Sequence, residues 1–77
     1  MRRDPNATVA ARIRQFRMRK GWSQEELAAK CDLHRTYIGA IERKERNITL
    51  RTLARVADAL GCEITDLVSP IQPTAKT

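Results

Sequence analysis

The chain has 77 residues, which favours a single domain with a marginal helical core that a partner subunit would strengthen. Its composition, 42% hydrophobic and 31% charged, is that of a folded globular protein. It contains no apolar run long enough for a membrane span or a signal peptide, so we expect a cytoplasmic protein without a membrane partner. The formal net charge of +6 favours a polyanionic partner such as nucleic acid, with a merely solvated basic surface as the alternative.

An N-terminal arm over residues 1–7 precedes the first predicted helix. Pro5 and an early arginine pair mark this arm. Either Asn6 or Thr8 is expected to cap the helix, which runs to about Lys20, where a glycine follows.

A second helix is predicted to begin at Ser23. The string SQEE is typical of a capping box, in which the Ser23 hydroxyl accepts from the backbone N–H of Glu26 and the Glu26 carboxylate accepts from that of Ser23. Leu27, Ala28 and Cys31 are spaced to form the inner face of this helix.

The third predicted helix, residues 34–43, combines an apolar face with a polar first turn. Ile38 and Ile41 can share the buried face. Arg35 and Thr36 stand in the first turn, where they are costly to order and contribute nothing to a core. They are therefore candidates to contact a partner.

Two further helices complete the pattern. Thr49 looks like the cap of a fourth helix, whose apolar positions recur at intervals of three and four: Leu50, Leu53, Ala57 and Leu60. A short last helix covers residues 63–68, and residues 70–77 are predicted to be a mobile tail. Since no segment alternates with period two, the predicted fold class is all-α, with five short helices.

The second and third helices, joined by a tight turn in a basic all-α domain, predict a helix-turn-helix. The motif needs a small residue where the two helices cross, which Ala28 provides. It also needs a turn residue that tolerates left-handed backbone, and Asp32 stands there in place of the usual glycine. Spacing alone leaves an ordinary helical hairpin equally compatible with the sequence.

The string WSQEELAAKCDLHRTYIGAIERKERNITLRTLARVADALGCEITDLV resembles the lambda-repressor-like, XRE-type helix-turn-helix domain. The resemblance covers about residues 8–68, and we place the domain at residues 8–69. Within the family, RTYIGAIERKERNITL is similar to controller proteins of restriction–modification systems, which are small dimeric regulators of their own operon. The family often has glycine where this chain has Lys44, so we expect either left-handed backbone at Lys44 or another loop path.

The resemblance implies that the first turn of the third helix enters the DNA major groove. Arg35 would then donate to guanine O6 and N7, and the Thr36 methyl would touch a thymine methyl. The Tyr37 hydroxyl is expected to reach a phosphate or a base while the ring packs inward. Gln24, at the start of the second helix, and His34 are expected to contact phosphates.

Polar and basic residues that follow the third helix are also expected to contact the DNA backbone: Arg43, Lys44, Arg46 and Asn47. A minor-groove edge is an alternative for Arg46, and a solvated basic loop is the alternative for all four. Gly39 in mid-helix indicates a close approach, either of DNA or of another helix. The resemblance assigns Arg17 and Glu42 to a partly buried ion pair that ties the first helix to the third.

Homodimerisation through the last helices is implied by the family. The apolar residues expected at the dimer interface are Leu60, Ile64, Leu67 and Val68. A twofold dimer would read a pseudo-palindromic operator with half-sites about 34 Å apart. The predicted function is a sequence-specific DNA-binding transcription regulator on double-stranded operator DNA, with RNA polymerase as a further candidate partner.

Other functions stay open beside this one. A phage-type repressor or an antitoxin-like regulator belongs to the same class, whereas a non-specific RNA-binding protein or a protein-interaction module does not. No enzyme is expected, because no nucleophile–histidine–acid set, carboxylate pair or phosphate-binding glycine loop is evident. Cys31, His34 and Cys62 lack the fourth ligand of a structural zinc site, so neither a metal nor a cofactor is expected, and both cysteines are expected to be reduced.

Overall fold

A computed structural model describes residues 4–69 and folds them into five α-helices, with no strand among those residues. The helices are α1 (Pro5–Lys20), α2 (Gln24–Cys31), α3 (Arg35–Glu42), α4 (Leu50–Leu60) and α5 (Ile64–Val68). The predicted all-α class is confirmed. None of these helices is long and apolar enough to cross a membrane. The predicted tail, residues 70–77, lies outside the described residues, as do residues 1–3 of the arm.

The start of α1 differs from the prediction. Its N-cap is Asp4, whose carboxylate accepts a hydrogen bond of 3.0 Å from the backbone N–H of Asn6, so neither Asn6 nor Thr8 is the cap. Pro5 occupies the first helical position, where its missing N–H costs nothing and its fixed φ suits the helix. Residues 5–7, assigned to the arm, therefore form the first turn of α1.

The helix-turn-helix is built by α2 and α3 as the sequence indicates. The capping box is present: Ser23 Oγ lies 3.0 Å from the Glu26 backbone nitrogen, and Glu26 Oε1 lies 2.7 Å from that of Ser23. Asp32 ends α2 with left-handed backbone, φ 58° and ψ 44°. The next N–H, of Leu33, donates to the Ala28 carbonyl at 2.8 Å, which satisfies an end carbonyl of the helix and turns the chain toward α3.

The core receives side chains from every helix, because α1 packs on α3, α4 and α5 while α2 packs on α3 and α4. Its largest fully buried side chains are Ile13, Leu27, Ile38, Val56, Leu60 and Leu67. One predicted position is wrong: Leu50 is 71% exposed. The buried stripe of α4 is centred one turn later, around Leu53, Val56 and Leu60, so Leu50 at the first helical position lies beyond the edge of the core.

The residues expected at the dimer interface divide into two groups, which corrects the sequence prediction. Leu60 is 2% exposed and Leu67 is 0% exposed, so both belong to the chain's own core and offer no surface to a partner. Ile64 is half-buried, and Val68 is 46% exposed. The reason is size: a chain this short needs its large apolar side chains for one core, and α5 buries its leucine against α1 and α4.

Both cysteines are thiols. Cys31 lies in the core, and Cys62 is half-buried after α4. Burial raises the pKa of each thiol, and the nearby Asp66 carboxylate raises that of Cys62 further. Among residues 4–69, no three histidine, cysteine or acidic side chains are grouped as a metal would require.

Candidate nucleic-acid interface

The first turn of α3 points away from the core and is held by a side-chain cap. His34 is the N-cap, and its Nδ1 accepts from the backbone N–H of Thr36 at 3.1 Å. Because Nδ1 acts as the acceptor, the neutral ring carries its proton on Nε2, and that N–H is the group that can donate to a phosphate. Arg35 and Thr36 are both exposed, while Ile38 behind them is fully buried.

An acidic residue that sequence reasoning missed stands beside Arg35. Glu25, in the first turn of α2, lies with its Oε1 3.4 Å from Arg35 Nη1, and both side chains are about two-thirds exposed. An exposed pair of this kind contributes under about 1 kcal/mol, so Arg35 can leave it for a stronger partner. The two residues are ten positions apart, and only the turn between α2 and α3 brings them together.

Below this surface, Arg17 and Glu42 form a bidentate ion pair. Arg17 Nε donates to Glu42 Oε2 at 2.8 Å and Nη2 donates to Oε1 at 3.0 Å, while Nη1 donates to the Trp22 carbonyl at 2.8 Å. The two side chains are only 12% and 5% exposed. The hydrogen bond with Glu42 raises the pKa of Arg17, burial opposes this, and the carboxylate charge adds to the rise. The pair fixes α3 against α1.

Gln24 joins the same carboxylate from α2. Its Nε2 donates to Glu42 Oε1 at 3.1 Å, so Glu42 ties three helices together. Gly39 makes room for this: a Cβ there would stand 3.2 Å from Gln24 Oε1 and 3.0 Å from Arg43 Nη1. The groups that approach Gly39 are therefore side-chain ends, one from α2 and one from the residue that ends α3. The Gln24 amide nitrogen is thus engaged with Glu42, and the Glu26 backbone N–H is engaged with Ser23 Oγ, so the first-turn N–H groups of α2 that have no intrahelical acceptor are those of Gln24 and Glu25.

An open cleft lies between the start of α2 and the outer side of α3. The residues that line it are Arg17, Ser23, Gln24, Glu25, Arg35, Thr36, Gly39 and Arg43. Two exposed arginines, Arg35 and Arg43, stand at its wall, and a helix N-terminus opens into it. Such a concave basic surface can hold a phosphate beside a protruding helix.

The chain leaves α3 through a left-handed residue at Lys44, φ 65°. Its N–H donates to the Ile41 carbonyl at 3.0 Å, and the next N–H, of Glu45, donates to the Ala40 carbonyl at 2.8 Å. Of the two loop paths considered, the left-handed one is therefore present. The lysine adopts the conformation that a glycine favours at this point of a helix end.

Three contacts hold the side chains of this loop. Arg43 pairs with Glu45 at 3.2 Å in an exposed ion pair. The Arg46 guanidinium lies over the half-buried Tyr37 ring, 5.5 Å from its centroid, a cation–π contact. Asn47 accepts through Oδ1 from Asn6 Nδ2 at 2.6 Å. The loop is thus connected to α3 through Tyr37 and to α1 through Asn6.

The predicted site residues are not equally exposed, and they do not all line one cleft: Gln24, Arg35, Thr36 and Arg43 line the cleft beside α3, whereas Lys44 lines a separate depression beside α1. Gln24 and Tyr37 are half-buried and hold their neighbours. The exposed members are His34, Arg35, Thr36, Arg43, Lys44, Arg46 and Asn47. The sequence analysis did not identify Glu25, Glu45 or Asn6 as part of this surface. Only Glu25 could have been found from the sequence, because it is an acidic residue directly after the first residue of α2.

A sequence model of the helix-turn-helix family matches residues 13–67, which is most of the chain and includes α2 and α3 entire. The chain belongs to the XRE-type helix-turn-helix family of DNA-binding transcription regulators. The family resemblance in the sequence is therefore confirmed.

Three relatives show which members of this family the chain is similar to. The Neisseria hypothetical transcription factor from Neisseria meningitidis serogroup B is 48% identical over 73 residues, 95% of this chain and 69% of the relative. Control protein C.SmaI from Serratia marcescens is 46% identical over 66 residues, 86% and 79% of the two chains. The crystal structure of the restriction-modification controller protein C.AhdI from Aeromonas hydrophila superposes with a TM-score of 0.78 at 39% identity, covering 80% of this chain and 94% of that one.

Proposed function

We propose that this chain is a controller-type regulator that binds a pseudo-palindromic operator as a homodimer, with the first turn of α3 in the major groove. The observation that carries the proposal is the exposure of Arg35 and Thr36 at the start of α3, directly over the buried Ile38. A helix whose inner face is buried and whose first turn protrudes can place those two side chains against base edges. Arg35 reads guanine and Thr36 reads the thymine methyl.

The residues on either side of that turn hold the DNA backbone in this proposal. His34 Nε2 and the backbone N–H groups of Gln24 and Glu25 bind phosphates on one side of the groove. Lys44, Arg46 and Asn47 bind phosphates on the other, with Arg46 held in place by the ring of Tyr37. Phosphate contacts carry no sequence information, so in this proposal the residues that bind the DNA backbone differ from those that recognise bases.

The homodimer is proposed to associate through the exposed part of α5, with Val68 and Ile64 at the contact. Val68 is among the few large apolar side chains exposed on residues 4–69. A twofold axis near α5 would present two α3 helices to half-sites about 34 Å apart. By analogy with the controller relatives, the regulated operon is that of a restriction–modification system and includes the regulator's own gene, with RNA polymerase as the further partner.

One titration distinguishes residues that contact bases from residues that contact phosphates. The wild-type protein first selects an operator from randomised duplexes, and each variant is then titrated against that operator and a scrambled duplex at one salt concentration. Arg35→Ala should cost about 1–3 kcal/mol on the operator and much less on the scrambled duplex. Asn47→Ala should weaken both by similar factors.

The control for charge is Arg19→Ala, since Arg19 is an exposed arginine of α1 that lies over Phe16 and outside the candidate interface. It should leave both affinities nearly unchanged. Equal weakening of the two duplexes by Arg35→Ala would make Arg35 a phosphate contact and would refute its reading role. Failure of the wild type to select any duplex over another would refute the proposed function itself.

A further inference from the structure

A single hydrogen bond joins the beginning of α1 to the loop that follows α3. Asn6 Nδ2 donates to Asn47 Oδ1 at 2.6 Å across 41 positions of sequence. Asn6 is held in turn, because it lies in the first turn of a 16-residue helix and its backbone N–H donates to the Asp4 cap at 3.0 Å. Among residues 4–69, this is the one side-chain hydrogen bond between that turn and the loop.

The direction of this bond decides what Asn47 offers to a ligand. A primary amide has one end that accepts and one end that donates. With Oδ1 engaged by Asn6, the NH₂ group of Asn47 is the end left to bind a partner. A phosphodiester oxygen only accepts hydrogen bonds, so the donor end is the one it needs, and the opposite orientation would set two acceptors against each other.

We propose that Asn6 is a positioning residue that turns the amide of Asn47 so that its NH₂ group donates to a DNA phosphate. The inference rests on the proposed function, since it takes Asn47 to be a phosphate contact. It extends the DNA-binding machinery to the first turn of α1, a segment that the sequence assigned to an arm. It also gives α1 a second role, because the rigid start of this helix fixes the orientation of a side chain beside the recognition helix.

The test exploits the difference between asparagine and aspartate at position 6. Asn6→Ala removes the hydrogen bond and lets the Asn47 amide rotate, so affinity for both operator and scrambled duplexes should fall about threefold. Asn6→Asp replaces the donor by a carboxylate, which can only accept. The Asn47 NH₂ group should then turn inward to the new carboxylate and present Oδ1 to the phosphate, and affinity should fall about thirtyfold, of which about tenfold is the lost charge-assisted hydrogen bond and about threefold is the added negative charge.

Added negative charge would also weaken DNA binding, so the same change is made in the Asn47→Ala background. There Asn6→Asp should cost only about threefold, the effect of charge alone, and the ratio of the two factors measures the coupling between Asn6 and Asn47 in the complex. The thermal unfolding of Asn6→Asp is the second readout. A carboxylate in the first turn of a helix is favourable, so its melting temperature should not fall.

The outcomes separate this inference from the proposed function. Equal factors in the two backgrounds would overturn the positioning role while leaving Asn47 as a phosphate contact. An Asn6→Asp variant that binds as well as wild type would also overturn it, because turning the Asn47 NH₂ group toward position 6 would then cost no affinity. An Asn47→Ala variant with unchanged affinity would remove the phosphate contact from the proposed function and the inference with it.

Discussion

Replacing Arg17 by alanine should remove much of the stability of the domain, although Arg17 contributes nothing to the apolar core. The Glu42 carboxylate is 5% exposed and accepts two hydrogen bonds from Arg17, at 2.8 and 3.0 Å, and one of 3.1 Å from Gln24. Without Arg17 it keeps a single neutral donor in a buried position. Breaking a buried pair by removing one partner costs about 3–5 kcal/mol. A domain of this size has on the order of 5 kcal/mol in total, so the variant should be largely unfolded or close to it.

A double variant distinguishes stability from positioning. Arg17→Met together with Glu42→Leu replaces both charges by apolar side chains and removes their desolvation cost, so stability should return to the wild-type value or exceed it by up to about 4 kcal/mol. Operator affinity should not return, because Gln24 loses its acceptor and only apolar packing, without directed hydrogen bonds from Glu42, then holds α3 against α1 and α2. The assays are urea unfolding followed by circular dichroism and an anisotropy titration with operator DNA.

The matched control is the exposed ion pair of the loop. Arg43→Ala breaks a pair whose side chains are 55% and 58% exposed, and it should cost under about 1 kcal/mol of unfolding free energy. The reasoning is refuted if Arg17→Ala costs no more than this control. A double variant that binds the operator as tightly as wild type would show that the ion pair does not position α3.

Three further predictions follow from neighbouring contacts. Glu25→Gln removes the carboxylate that holds Arg35 and repels DNA, so affinity should rise for both duplexes, and more for the scrambled one, in the same anisotropy titration. Gly39→Ala should change the unfolding free energy by less than about 1 kcal/mol, because the gain in helix propensity is offset by displacement of the Gln24 and Arg43 side chains. Urea unfolding should therefore show nearly unchanged stability, and a DNA titration of the same variant should show weaker binding. Burial raises the pKa of the Cys31 thiol above its unfolded value of about 8.5. The protonated thiol therefore contributes its full share of the folding free energy below that pH, and this contribution is lost as the pH rises through the folded pKa. Urea midpoints measured at increasing pH should accordingly fall more steeply for wild type than for Cys31→Ala.

The dimer prediction needs a different variant from the one that the sequence suggests. Changing Leu67, which is fully buried, would unfold the chain whether or not it dimerises. Val68→Asp changes an exposed residue of α5 and should give a monomer in sedimentation with weaker operator binding. Met18→Asp is the matched control, since it adds the same charge to a 60% exposed apolar residue of α1, and it should stay dimeric. A dimeric Val68→Asp protein would remove α5 from the proposed interface.

Local chemistry explains why some features could be predicted from the sequence. The capping box at Ser23 and the left-handed turn at Asp32 each depend on residues within four positions of one another. The cap of α1 is missed for a local reason as well: Pro5 is interpreted as a marker of an arm over residues 1–7, although proline is well suited to the first position of a helix, and that position makes the preceding Asp4 the cap.

Other features depend on contacts that no local pattern contains. Periodicity marks Leu67 as apolar, but it does not tell whether the side chain covers the chain's own core or a partner. The pairing of Glu25 with Arg35 requires the crossing angle of α2 and α3. The hydrogen bond from Asn6 to Asn47 requires both ends of the fold to be in place. Sequence alone therefore missed contacts between residues that are distant in the chain, such as Glu25 with Arg35 and Asn6 with Asn47.

The acidic residues beside the interface bear on how a basic protein of this kind achieves specificity. Two of the exposed arginines that face the candidate DNA surface already have a carboxylate partner: Arg35 has Glu25 and Arg43 has Glu45. On arbitrary DNA, each arginine exchanges one exposed ion pair for another, and the carboxylate left behind repels the phosphates, so little is gained. In the proposed complex, Arg35 gains two directed hydrogen bonds to guanine on the correct base, which outweigh the exposed pair it leaves. The proposed arrangement therefore predicts that the carboxylates lower non-specific affinity more than specific affinity, so that a net charge of +6 can serve a regulator that discriminates between sequences.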